Sequence, residues 1–120
     1  SLLLLQQQVQ WMLDLGGLEA TSQKAQRGAA LLQQWANDRD FAELFVTEPQ
    51  WRSPVITTID LDPRIPVADL SAALRRAGIV DVDGYRGLGR NQLRVASFPS
   101  VEESDIAALL DTIDYLVANA

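Results

Sequence analysis

The stretch Asp83-Gly84-Tyr85-Arg86-Gly87-Leu88-Gly89-Arg90-Asn91-Gln92-Leu93-Arg94-Val95-Ala96-Ser97-Phe98 decides how this chain must be built. Its first nine residues hold three glycines and two arginines, and they read as a loop. From Gln92 to Phe98 it reads as a strand, with Leu93, Val95 and Ser97 on one face and Arg94 and Ala96 on the other. A strand with one apolar face needs a partner strand and a cover. The partner is upstream: Pro54-Val55-Ile56-Thr57-Thr58-Ile59-Asp60-Leu61 is β-branched and lies between Pro54 and Pro63. Ile79 to Val82 is a shorter extended piece leading into the loop.

The cover is helical. Residues 66–77 repeat Val67, Leu70, Leu74 and Ala77 at helical spacing, and Gly78 follows as a C-terminal stop. Ser100-Val101-Glu102-Glu103 reads as a capping box, with Ser100 accepting from an amide ahead and Glu103 reaching back. Ile106, Leu109, Leu110, Ile113, Leu116 and Val117 then form one apolar stripe. Residues 18–37 carry Ala25, Ala29, Leu32 and Ala36 on one face, and Gln23, Lys24, Gln26 and Arg27 on the wet one. Residues 2–15 are rich in Leu and Gln, apolar on two faces, and stopped by Gly16-Gly17. Residues 41–53 read as irregular, with Phe41, Leu44 and Phe45 filling core gaps. The order is helix, helix, strand, helix, short strand, strand, helix. That is an α+β fold: a small mixed or antiparallel sheet covered by helices on one face.

Composition narrows the function. The 120 residues are about one domain's worth and carry a net charge of −6. There is no His, no Cys and a single lysine, Lys24. Disulfides, thiolate or histidine metal sites, cysteine nucleophiles and the Ser-His-Asp triad are therefore excluded. The acidic balance argues against nucleic acid or an anionic membrane as partner. Ser1-Leu2-Leu3-Leu4-Leu5 is too short an apolar run for a signal sequence or a membrane span. It reads as a cut inside a helix of something longer, and the lack of Cys fits the cytoplasm.

Ligand chemistry concentrates in one place. Arg86, Arg90 and Arg94 are three of the nine arginines, all inside the loop-strand segment. Glycines let backbone amides approach an anion, and Arg offers a bidentate fork to carboxylate or phosphate. Arg94 stands out as a lone charge between Leu93 and Val95, although an outward Arg on a strand is most often only solvated. Lys24 sits on a wet helix face, with nothing to desolvate it into a Schiff-base amine. Asp60 with Asp62, and Asp81 with Asp83, read as solvated pairs rather than cation ligands. Trp11, Trp35 and Trp51 read as packing residues. Arg75-Arg76 suits a helix C-terminus.

The segment from Ala77 through Gly84-Tyr85-Arg86-Gly87-Leu88-Gly89-Arg90-Asn91-Gln92-Leu93-Arg94-Val95 to Glu102 closely resembles the C-terminal region of phosphoserine aminotransferases of the actinobacterial type. The likeness runs upstream through Thr58-Ile59-Asp60, Phe45-Val46-Thr47, Gln34-Trp35-Ala36 and Trp11 with Gly16-Gly17-Leu18, and so covers essentially the whole chain. The resemblance implies the small C-terminal domain of a fold-type-I, pyridoxal-phosphate-dependent homodimer. That family interconverts 3-phosphohydroxypyruvate plus glutamate with phosphoserine plus 2-oxoglutarate. It implies that residues 1–17 lead in from a missing large domain and that residues 18–120 close over the substrate. It places the α-carboxylate arginine at Arg94. Arg86 and Arg90 stand where the family meets the substrate phosphate, although the loop departs from the family's His-Arg pattern. It assigns no catalytic, cofactor or metal residue to this chain, since the Schiff-base lysine has no counterpart and Lys24 matches nothing. No cofactor is then expected on the fragment alone. Two rival expectations remain: a stand-alone small-molecule-sensing domain, and a dimerisation module. A longer reading frame upstream of Ser1 would separate the enzyme from both.

Overall fold

The computed structural model describes residues 1–120. Three strands form one antiparallel sheet in the order β1 (Ala42–Leu44), β2 (Ile56–Leu61), β3 (Gln92–Ala96). Leu44 pairs with Ile59 on one side of β2, and Leu93 pairs with Ile59 on the other. Strand alternation then sends Leu44, Ile59, Leu61, Leu93 and Val95 to one face. Helices α2 (Gly17–Asn37), α3 (Val67–Arg76) and α4 (Glu103–Ala118) cover that face. Leu32 of α2, Leu70 and Leu74 of α3, and Ile106 and Ile113 of α4 meet the strand residues in one apolar core. The sheet is thus wholly antiparallel and helix-covered on one face, an α+β fold.

Two of the four helices stop at glycines. Gly78 takes the left-handed conformation, φ 87°. That lets its amide donate to Arg75 O while Ile79 N–H donates to Leu74 O, the paired bonds of a Schellman stop. Helix α1 (Leu2–Asp14) breaks from α2 at Gly16 and Gly17, both at positive φ. α1 buries none of its residues, and Leu2, Leu3, Leu4, Leu5, Val9 and Leu13 remain exposed. The long dimension of the molecule is 44 Å.

Four sequence expectations are corrected. The short strand at residues 79–82 does not form; only Asp83 makes an isolated bridge, to Leu93. Residues 41–53 are not irregular throughout: β1 forms there, because Ala42 and Leu44 can complete the β2 edge, and a 3₁₀ turn follows at Pro49–Trp51. Phe45 does not fill the core; the step after Leu44 puts it on the outer face, 40% exposed. The capping box does not form. α4 starts two residues later, at Glu103, with Glu102 as its N-cap and no side-chain cap bond. The two glutamates are used across the helix pair instead: Lys24 Nζ donates to Glu102 at 2.7 Å, and Arg27 Nε to Glu103 at 2.7 Å. Negative charge still sits in the first turn of α4, where the helix dipole favours it.

The other end of the α2–α4 pair is tied by Asp114. Arg39 donates to it through Nε at 2.9 Å and Nη2 at 2.6 Å, and Trp35 Nε1 donates at 3.1 Å. Phe41 packs edge-on to Trp35, with ring centroids 5.8 Å apart. The hydrogen bonds from Arg39 hold the Asp114 carboxyl below the usual carboxylate range; partial burial opposes this and the Trp35 bond adds to it. A carboxyl depressed in the folded state stabilises above its unfolded value and loses that contribution as pH falls through the folded one. Asp114→Asn should therefore cost most stability near neutrality. The gap to wild type, read by urea unfolding at stepped pH, should close as pH falls below the ordinary carboxylate range. A gap that stays constant into acid would refute the linkage.

Candidate functional site

The outward face of the sheet carries the polar residues. Thr58 lies opposite Arg94 in the β2–β3 register, and Asp60 lies opposite Gln92. Glu43 of β1 lies opposite Asp60 on its other side. Arg94 is exposed and makes no side-chain hydrogen bond or ion pair, so it presents an unengaged guanidinium. The buried neighbours Leu93 and Val95, facing the core, fix the direction in which it stands.

The loop returns beside it. Asp81, Asp83, Gly84, Tyr85, Arg86 and Arg94 line an open cleft of about 470 Å³. Asp83 bridges Leu93, and Arg94 N–H donates to Val82 O at 3.0 Å, which lays residues 82–84 against the free edge of β3. The contact is close: a Cβ on Gly84 would stand 2.6 Å from Gln92 O. Only glycine permits that approach. Asp81 adopts φ 63°, a left-handed turn that Asp tolerates, and the chain swings so that both aspartates face the cleft. Arg86 sits in a 3₁₀ turn, Arg86–Leu88, and has no side-chain partner. The cleft thus holds two free guanidiniums with two carboxylates on its wall.

Arg90 is placed differently. It donates to Asp60 through Nε at 3.1 Å and Nη2 at 2.6 Å, and its guanidinium lies 4.8 Å from the Phe45 ring centroid. Gln92 Nε2 also donates to Asp60 at 2.9 Å. Burial resists ionisation of Asp60, but the bonds from Arg90 and Gln92 outweigh it and hold the carboxyl below its usual range. The neighbouring Asp62 accepts from Arg64. Both carboxylates are therefore engaged by arginines, and no group of His, Cys, Asp or Glu is arranged to hold a metal ion.

Sequence reasoning passed over Asn91. Its Nδ2 donates to the carbonyls of Leu61, Asp62 and Ile65 at 3.0–3.2 Å, and its Oδ1 accepts from Val67 N–H at 2.8 Å. One side chain thereby joins the end of β2, the turn after it, the start of α3 and the start of β3. An Asn at a loop-to-strand junction was the available signal. Lys24 is not simply wet: its side chain is 18% exposed and paired with Glu102 in the helical layer, while Arg94 projects from the opposite face of the sheet. The cleft presents two unpaired guanidiniums, a type of group that can pair with a carboxylate or phosphate. It contains neither a nucleophile nor a free amine.

Asn91→Ala would strip partners from three carbonyls and one amide. We expect a loss of about 2–4 kcal/mol, measured as a lower urea midpoint with unchanged slope. A change under 0.5 kcal/mol, roughly the range of neutral surface substitutions, would refute the joining role.

No protein-family model matches the chain. Its curated relatives are consistent. It is 42% identical over 118 residues to the phosphoserine aminotransferase of Rhodococcus opacus, covering 98% of this chain and 32% of that protein. It is 43% identical over 117 residues to the putative phosphoserine aminotransferase of Mycobacterium avium, covering 98% and 31%. Among solved structures, a phosphoserine aminotransferase studied for radiation damage of its Schiff base superposes with a TM-score of 0.81 at 23% identity, over 92% of this chain and 30% of that one. That superposition establishes the shared fold. The chain spans about a third of the length of the curated relatives it matches. By sequence, nearly all of the chain is similar to part of each of these phosphoserine aminotransferases.

Proposed function

We propose that this chain is the substrate-closing domain of a homodimeric, cytoplasmic phosphoserine aminotransferase, and that it supplies recognition rather than bond chemistry. The whole enzyme would interconvert 3-phosphohydroxypyruvate plus glutamate with phosphoserine plus 2-oxoglutarate. One observation carries this reading. Arg94 projects without a partner from a strand, beside a loop with a second free arginine that lines the same cleft.

The chemistry fits. Amino donor and amino acceptor both carry an α-carboxylate, so one guanidinium can serve both half-reactions. A bidentate Arg–carboxylate pair fixes the position of Cα, not only its affinity. Mounting Arg94 on a strand whose flanking residues are buried limits its wander. Of the two loop arginines expected toward the substrate phosphate, Arg86 is free to meet it, whereas Arg90 is already held by Asp60. Asp81 and Asp83 on the same wall disfavour an anion that settles too deep beside the loop.

Pyridoxal phosphate, when bound, supplies the electron withdrawal that lets a proton leave the substrate Cα. This chain's residues do not fit that group. Lys24 is tied to Glu102 in the helical layer, away from the arginine face. The cofactor and its lysine are therefore assigned to the large domain, which the relatives' length accommodates. Residues 1–17, with the bare leucines of α1, would be the lead-in that lies against it, and residues 18–120 the closing domain. Those leucines are also the best support for the dimerisation reading, and a strictly monomeric chain in solution would count against it.

Two outcomes are expected. In the full-length enzyme, Arg94→Ala should raise KM and lower kcat/KM for amino donor and acceptor alike, by about 2–5 kcal/mol of transition-state binding. Kinetics that leave both substrates untouched would sink the assignment. The 120-residue chain alone, mixed with pyridoxal phosphate, should give no cofactor absorbance band and no transamination. Turnover by it would place the chemistry here.

A further inference from the structure

The loop that carries Arg86 is pinned at its base and bare at its tip. At the incoming end, Asp83 bridges Leu93 and Gly84 lies against Gln92. At the outgoing end, Arg90 grips Asp60 and Asn91 holds three carbonyls. Between them, Tyr85 to Gly89 make no side-chain hydrogen bonds, and Tyr85 is 65% exposed. The Asp60–Arg90 pair differs from an incidental surface ion pair. It has two guanidinium nitrogens on one carboxylate, a third donor in Gln92, and an aromatic ring against the guanidinium. Bidentate, stacked pairs fix orientation, which single exposed contacts do not.

We propose that Asp60 and Arg90 form a clamp that sets the angle at which the loop presents Arg86 to the cleft it shares with Arg94. Arg90 is on this account a positioning residue that does not touch substrate, and Asp60 is its partner in that role. The inference rests on the proposed function for the identity of the ligand, but not for the clamp itself. Its physical basis is register. Asp60 belongs to β2, two residues along from Thr58, which faces Arg94. The same strand that sets the height of Arg94 therefore also anchors the loop through Arg90. The spacing of the two free guanidiniums is thereby referred to one rigid element. A ligand with two separated anionic groups would be measured against that spacing.

The test is a double-mutant cycle in the full-length enzyme with Asp60→Asn, Arg90→Gln and both together. A clamp predicts that each single change raises KM for phosphoserine by a similar factor, about 3- to 10-fold, and that the double is no worse than either. Amide hydrogen exchange gives a second readout that needs no turnover. Residues 84–90 should exchange faster in both singles, and not in Arg94→Ala. If Arg90→Gln raises KM while Asp60→Asn leaves it alone, Arg90 meets the substrate directly and the clamp is wrong. Unchanged exchange in both singles overturns it equally. Should Arg94→Ala leave both substrates unaffected, the proposed function fails, and the exchange data alone then judge the clamp.

Discussion

The side chain of Asn91 is the contact on which the arrangement depends. It bonds the backbone carbonyls of Leu61, Asp62 and Ile65 and the amide of Val67, linking the end of β2, the following turn and the first residue of α3. Buried backbone groups must find partners somewhere. Here one amide provides for four of them at the point where the glycine-rich loop becomes a strand. Because Asn91 is covalently next to Gln92, the register of β3 against β2 and the entry of α3 are set together. The core then follows, since Leu70 and Leu74 of α3 reach Leu93 and Ile59 only with that entry fixed.

The two faces of the sheet divide the labour. Inward residues are apolar and meet three helices. Outward residues carry charge, and most of it is already matched: Asp60 with Arg90, Asp62 with Arg64. Arg86 and Arg94 are unmatched, as are Arg75 and Arg76 in the last turn of α3, but Arg86 and Arg94 line one cleft together. An unmatched guanidinium is well hydrated and costs the fold little. It becomes valuable only when an anion arrives and water is excluded. Such a surface contributes little to stability by itself.

Much of this was legible in the sequence, for identifiable reasons. The helices carry strong 3.6-residue stripes, and β2 and β3 alternate cleanly, so their existence and facing could be read. Arg94 was visible as a charge inside an apolar alternation. β1 was not, because three residues give too short a pattern. The failed capping box shows a different limit. Glu102 and Glu103 have local partners on paper, but Lys24 and Arg27, more than seventy residues earlier, compete for them. Non-local competition also explains Arg90: spacing places it in the loop, but only the fold reveals that Asp60 and Phe45 hold it.

The two glycines between α1 and α2 have a mechanical consequence. Everything after them is tied into one piece: loop to sheet through Asp60 and Asn91, sheet to helices through the core, and α2 to α4 at both ends by ion pairs. Gly16 and Gly17, both at positive φ, are where α1 joins that piece. A rotation there would swing the block as a lever about a single pivot. Arg86 and Arg94 would travel together, their separation carried intact from one position to the other.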